Sequence, residues 1–163
     1  MLILGVDPGL RVSGYGLITG SAPDLKLVQA GVIVTNSQQA IQQRLDTIYG
    51  SLDKLAEEFK PQILVLEKIY AHYRHPATSF LLGHARGVIC LLAAQKKIQL
   101  FEYLPTRVKK AVVGRGHSGK AQVRDVVRKI LRIKEASFAF DISDALALAI
   151  AHAWIKKACL PGR

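Results

Sequence analysis

Two short runs in this chain, residues 2–6 and 63–66, are apolar at every position apart from Gly5 and show no alternation of polar and apolar side chains. A strand of that composition has to be covered on both faces, which requires a sheet with helices packed on either side. The rest of the pattern supplies both parts. Residues 15–19 and 25–35 read as two further strands, separated by Gly20-Ser21-Ala22-Pro23-Asp24, and the short turns make the first three strands antiparallel neighbours. Ile41, Leu45, Ile48, Leu52, Leu55 and Phe59 recur at spacings of four and three, the stripe of an amphipathic helix, with Asn36 or Ser37 as its cap and Pro61 beyond its end. A second helix, rich in Leu, Ala and Gly, spans residues 78–94, and residues 98–103 make a fifth strand. A short basic helix follows over 105–113. Val123, Val126, Val127, Ile130 and Leu131 mark another amphipathic helix, and the last helix runs over about 141–157. The expected fold is an α/β mixed five-stranded sheet flanked by helices, in a single domain over residues 1–163.

Both apolar runs stop at a carboxylate, Asp7 in the first case and Glu67 in the second. A carboxylate at the end of a buried strand is partly desolvated, which is costly unless a cation or hydrogen-bond donors compensate. The carboxyl ends of sheet strands are also where ligands tend to bind. Asp7-Pro8-Gly9 is in addition ordinary turn chemistry, and Glu67 has a neighbouring cation in Lys68. Asp141 and Asp144 stand three apart at the start of the last helix and share a face. Acids in a first turn often serve only as caps, but Asp144 leads into Ala145-Leu146-Ala147-Leu148-Ala149-Ile150-Ala151, a helix apolar enough to be buried. The chain has 12 acidic residues, and these four fall at the ends of buried elements. Four convergent carboxylates repel unless a cation sits among them, and oxygen-only ligands favour Mg²⁺ or Mn²⁺ over Zn²⁺. A pair of such ions can activate water and stabilise the leaving oxygen of a phosphodiester.

Charge points to a partner. The chain has 23 Lys and Arg and a formal net charge of +11, which suits a polyanion such as nucleic acid. Cys90 and Cys159 form no C-x-x-C motif, as in a reducing compartment. The N-terminus has no basic n-region, and no apolar run reaches the ~18 residues that cross a bilayer, so the expected location is the cytoplasm, away from membranes.

Five segments in order carry a family resemblance: Ile3-Leu4-Gly5-Val6-Asp7-Pro8-Gly9, Leu64-Val65-Leu66-Glu67, Gly83-His84-Ala85-Arg86-Gly87, Arg107-Val108-Lys109-Lys110-Ala111-Val112-Val113-Gly114 and Asp141-Ile142-Ser143-Asp144-Ala145-Leu146-Ala147. Over nearly its whole length the chain resembles the RuvC family of Holliday-junction resolvases. The resemblance implies a ribonuclease H-like fold, a Mg²⁺-dependent homodimer, symmetric nicking of four-way DNA junctions in strands of like polarity, and a RuvAB-type branch-migration partner. By motif, the family's four catalytic acids map onto Asp7, Glu67, Asp141 and Asp144, which would hold two Mg²⁺ ions, with Mn²⁺ as a substitute. Lys109 and Lys120 match family lysines near the scissile phosphate, with Lys110, Arg115 and Arg124 around them. Tyr70 falls where the family has an aromatic near the junction centre. Its ring can stack on an unpaired base or pack at the base of a loop, with Tyr73 as a fallback, and Arg74 in the same segment is a further DNA contact. From Tyr70 to Gly83 the chain is one residue longer than the common family pattern.

Two other sequence patterns have non-catalytic readings. Gly114-Arg115-Gly116-His117-Ser118-Gly119-Lys120 fits G-x-x-x-x-G-K, but Ala121 lacks the hydroxyl of a P-loop and a basic helix precedes it, so it reads as a flexible basic loop touching DNA. The five histidines have no zinc spacing, and His152 reads as a packed or capping residue. The competing functions are another ribonuclease H-like nuclease acting on RNA or hybrids, an actin-like nucleotide-binding fragment, and a non-catalytic junction binder. Residues 107–109 and 83–87 argue against the first. A length of 163 residues excludes the second's two lobes, and retention of four acids near phosphates argues against the third.

Overall fold

The computed structural model describes residues 1–68, 76–134 and 138–158. Among them the elements run β1 (Leu2–Asp7), β2 (Val12–Ser21), β3 (Asp24–Val34), α1 (Ile41–Phe59), β4 (Ile63–Glu67), α2 (Pro76–Gln95), β5 (Gln99–Tyr103), α3 (Pro105–Val113), α4 (Lys120–Leu131) and α5 (Phe140–Ala158). The strands form one sheet in the order β3-β2-β1-β4-β5. β1, β2 and β3 are antiparallel neighbours, as the short turns between them require, while β4 and β5 join β1 in parallel after helical crossovers.

Side chains alternate across the pleat, so each strand feeds two layers. Leu4, Val6, Leu17, Leu64 and Leu66 face α1 and α2, where Ile48, Leu52, Ile89 and Leu92 are fully buried. Ile3, Ile18, Ile63 and Val65 face the other way, against α3, α4 and above all α5. Every residue from Ala145 to Ala151 is buried, as an all-apolar helix demands.

Glycine sets how close α5 comes to the sheet. Gly5 pairs with Gly16 and Asp7 with Gly14, so three glycines line one face of β1 and β2 directly beneath α5. A methyl group on Gly5 would lie 2.0 Å from the carbonyl oxygen of Ala145, and one on Gly14 would lie 2.0 Å from that of Asp141. On Gly16 it would meet the Leu146 side chain at 2.5 Å. The helix backbone therefore rests directly on the strand backbone.

β2 is also longer than its apolar run. Ladder pairing with β3 extends to Val12 through Gly14 and Ser13, which carry no hydrophobic signal. The cap of α1 also differs from expectation. Ala40 occupies the N-cap with no side-chain bond, because Asn36 instead accepts a hydrogen bond from the backbone N–H of Gln38, 2.9 Å away, in a local turn.

Gly5→Ala is expected to destabilise the fold by about 3 kcal/mol, since the clash is with backbone that cannot rotate away. Gly50→Ala, at a helical position in α1 with nothing within 4 Å of the added methyl, should stabilise by about 0.5–1 kcal/mol. Urea denaturation of the two variants beside the parent checks both signs.

Candidate active site

Asp7 and Glu67 are the last residues of neighbouring parallel strands. Asp7 follows Ile3 and Gly5 in parity, and Glu67 follows Ile63 and Val65, so both carboxylates project on the α5 face of the sheet. The chain turns away at once after Asp7. The Ser13 hydroxyl, buried, donates to the Gly9 carbonyl at 2.6 Å and accepts from the Gly9 N–H at 3.1 Å. Turn chemistry at Asp-Pro-Gly and presentation of Asp7 are thus the same structure.

The start of α5 lies over this strand end because of the glycine floor. Asp144 enters a cleft of about 220 Å³ together with Asp7 and Glu67, and Lys109 of α3 and Lys120 of α4 complete its polar lining. Pro105, Val108, Val123 and Leu148 form its apolar wall. Asp141, one turn earlier on α5, is outside this lining but close enough for its charge to act on Asp7. A larger groove of about 650 Å³ on α2 holds no carboxylate and is lined by Leu45, Phe80, Val88 and Leu91 among others.

The electrostatics follow from burial. Desolvation pushes the Asp7 carboxyl up to about 7, with the charges of Asp144 and Glu67 adding to the rise and Lys120 opposing it. Glu67 is raised for the same first reason, then by Asp144, and is held back by Lys120, Lys109 and Arg86. The Lys120 ammonium lies 2.9 Å from Asp144 Oδ2 and is raised chiefly by that hydrogen bond. Among the described residues no three acids, histidines or cysteines close into a shell for one ion, and Lys120 supplies the nearest positive charge. The converging groups still fit a hard divalent cation: they offer only carboxylate oxygens, mutually repulsive, with Asp7 and Glu67 desolvated.

Of the residues expected at the site, Asp7, Glu67, Asp144, Lys109 and Lys120 come together, and Asp141 stands beside them. Tyr70, Tyr73 and Arg74 lie outside the described residues. Lys110 and Arg115 are exposed and outside the cleft lining. Arg124 is engaged internally: its Nη1 donates to the Phe138 carbonyl at 3.2 Å, and its guanidinium covers the Phe140 ring at 4.3 Å, bracing the start of α5. Residues 114–119 connect two helices, with Gly114 at positive φ capping α3 and Gly119 capping α4, so no strand precedes the G-x-x-x-x-G-K run. His152 is buried, its Nδ1 2.9 Å from the Tyr103 hydroxyl, and burial pushes it down to about 4. The positioning role of Gly5, Gly14 and Gly16 was missed, although two glycines at a spacing of two on one strand are a readable sign of close approach on that face.

A family model described as "Crossover junction endodeoxyribonuclease RuvC" matches residues 3–152. This chain belongs to the RuvC family. A RuvC relative from Alkaliphilus oremlandii is 40% identical over 153 residues, covering 94% of this chain and 93% of its own. The structure of Thermus thermophilus RuvC in complex with a Holliday junction substrate superposes with a TM-score of 0.91 at 30% identity, covering 97% of this chain and 96% of that one. The yeast mitochondrial Holliday junction resolvase Ydc2, at 13% identity and a TM-score of 0.68, shares the fold. The fold is thus the ribonuclease H-like one of the RuvC resolvases, and RuvC proteins are metal-dependent nucleases.

The raised Asp7 carboxyl predicts a pH effect on metal-free protein. Between the unfolded value near 3.8 and the folded value of about 7, the folded state binds the extra proton. Its contribution to stability is therefore complete below pH 4 and lost as pH rises through 7. Asp7→Asn should remove that loss and be more stable than the parent at pH 8, by on the order of 1–3 kcal/mol. Thermal melts from pH 5 to 8 in chelator test this, and parallel curves for the two proteins would contradict it.

Proposed function

We propose that this chain is a crossover junction endonuclease, a single nuclease domain that resolves Holliday junctions by nicking two strands of like polarity during DNA recombination and repair. The observation that carries the reading is one cleft, in a chain of the RuvC family, lined by carboxylates from β1, β4 and α5 and by lysines from α3 and α4. Asp7, Glu67, Asp141 and Asp144 are the ligands for two Mg²⁺ ions, with Mn²⁺ able to replace them. Bound there, the ions supply an activated water and charge stabilisation at the leaving oxygen. Lys109 and Lys120 hold phosphate oxygens at the mouth of the cleft, and phosphate contact draws the Lys120 ammonium away from Asp144. Tyr70 stacks on an exposed base at the junction centre and Arg74 contacts the backbone beside it.

The second part of the proposal is a homodimer. Two nicks in a nearly two-fold symmetric junction call for two identical sites, and an isologous pair provides them. Phe80 is 72% exposed and Leu91 53%, both on α2 beside the apolar groove, and Leu81 is exposed too. These side chains are the contact surface, as a patch of this kind is unusual on a free monomer. A RuvAB-type branch-migration complex is the partner and the cytoplasm the location. Among the described residues no helix is long and apolar enough to cross a membrane.

The deciding experiment offers a synthetic four-way junction, matched duplex and an RNA–DNA hybrid in Mg²⁺. The junction alone should be cut, with paired symmetric nicks, and cleavage of the hybrid instead would replace this reading. Asp7→Asn should bind the junction but cleave it about a thousandfold more slowly, the loss of several kcal/mol of metal-dependent stabilisation. Lys109→Ala and Lys120→Ala should each reduce the salt dependence of binding by about one phosphate contact.

Sedimentation without DNA should show a dimer at micromolar concentration. Phe80→Glu is expected to shift it to monomer, and a parent that sediments as a monomer would refute the interface.

A further inference from the structure

The carboxylate of Glu67 and the carbonyl of the same residue are held from opposite sides of the sheet. Its side chain faces the α5 layer, in line with Ile63 and Val65. Its carbonyl accepts a hydrogen bond from Nη1 of Arg86, which is on α2 in the other layer. Nη2 of the same guanidinium donates to Glu102 Oε1, and the two form an ion pair. Glu102 alternates with Phe101 and Tyr103 on β5, so it too belongs to the α2 side. The Arg86 side chain is only 12% exposed, whereas Glu102 is 38% exposed. A guanidinium withdrawn that far from water requires its donors to be satisfied, and Glu102 and the Glu67 carbonyl satisfy two of them.

The next atom along the chain is tied as well. The N–H of Lys68, in the same peptide group as the Glu67 carbonyl, donates to the Tyr103 carbonyl at 2.8 Å. The peptide plane that follows Glu67 is therefore pinned at its N–H by β5 and at its C=O by α2. Pinning that plane sets ψ of Glu67 at the very point where β4 ends, and with it the direction of the Cα–Cβ bond that aims the carboxylate into the cleft.

We propose that Arg86 is a positioning residue for the nuclease reaction: with Glu102 as its orienting partner, it clamps the Glu67–Lys68 peptide from the far face of the sheet and so holds the Glu67 carboxylate in register with Asp7 and Asp144. The inference rests on the reading of Glu67 as a ligand of the catalytic metal. It assigns Arg86 no contact with DNA or metal. It also ties α2, whose outer face carries Phe80 and Leu91, to the end of the strand that bears an active-site acid. A lysine cannot reproduce the clamp, since a single ammonium does not present two donors in a fixed fork to two separate oxygens.

The test uses the full chain and two readouts. The first is amide hydrogen exchange at Lys68, which needs neither metal nor DNA. In Arg86→Gln and Arg86→Lys this N–H should exchange at least about tenfold faster, while amides of Leu4 and Val6 in β1 keep their parental rates. The second is the Mg²⁺ concentration that half-activates junction cleavage. It should rise by roughly tenfold, the usual scale for losing a residue that orients a ligand, with junction affinity in chelator unchanged within about twofold. Glu102→Gln, at a partly exposed position, is the companion in case the arginine variants fail to fold, and a smaller rise in both readouts is expected there. Parental exchange at Lys68 in these variants would overturn the clamp, as would an unchanged metal requirement. A fall in junction affinity with normal metal activation would overturn it too, by reassigning Arg86 to DNA. Failure of the parent to cut junctions would instead refute the proposed function, leaving the exchange result to judge the clamp alone.

Discussion

Everything at this site depends on α5 lying directly on the sheet. A helix usually stands off a sheet by the depth of its side chains. Here the backbone of α5 at Asp141 and Ala145 meets the glycine backbone of β1 and β2 with no side chain between. That contact brings the first turn of α5 over the carboxyl ends of β1 and β4, which puts Asp144 in the same cleft as Asp7 and Glu67. Side chains at Gly5, Gly14 and Gly16 would lift the helix away, and the acids would no longer converge. Ala145 and Ala149, four apart on one face of α5, serve the same closeness from the helix side.

Convergence of carboxylates is costly, and the molecule carries that cost in its ionisation. Burial and like charge push Asp7 far above the ordinary carboxylate range, and Lys109 and Lys120 offset only part of the repulsion. A stable fold does not require such an arrangement. The hydrophobic layers on either side of the sheet are complete without it, and neutral residues at the four positions would relieve the strain. Asp7 and Glu67 at the ends of buried strands and Asp144 in the first turns of α5 meet in one cleft, where positive charge offsets their repulsion. Lys120 shows how easily a cation is accepted: the ammonium has reached Asp144 although most of its side chain is exposed.

The two helical layers divide the work. α3, α4 and α5 build the cleft and supply its cations and one wall. α1 and α2 cover the opposite face and reach the cleft through Arg86, whose charge acts on the Glu67 carboxyl and whose guanidinium grips the peptide after it. The outer face of α2 carries an open groove lined mainly by apolar side chains. Arg124 does similar service on the cleft side, holding Phe138 and Phe140 where the chain enters α5.

The sequence by itself determined the elements, their order and the acids. Spacings of three and four mark the amphipathic helices, unbroken apolar runs mark the central strands and the buried helix, and each of these runs meets a carboxylate at Asp7, Glu67 or Asp144. Those are local signals, carried by residues adjacent in the chain. Five ordered segments, too many to match by chance, disclosed the family. What only the tertiary structure decided is what depends on contacts between residues far apart. The role of Gly14 and Gly16 appears once α5 lies on them, since glycine in a strand has many uses. Arg86 sits in a segment that was legible as a motif, but its function lies in reaching across to β4 and β5, 19 and 16 residues away. Arg124, expected in the basic cluster around Lys109 and Lys120, turns inward to a carbonyl and an aromatic ring. Sequence places a basic residue in a segment, but packing decides whether its charge turns outward or inward.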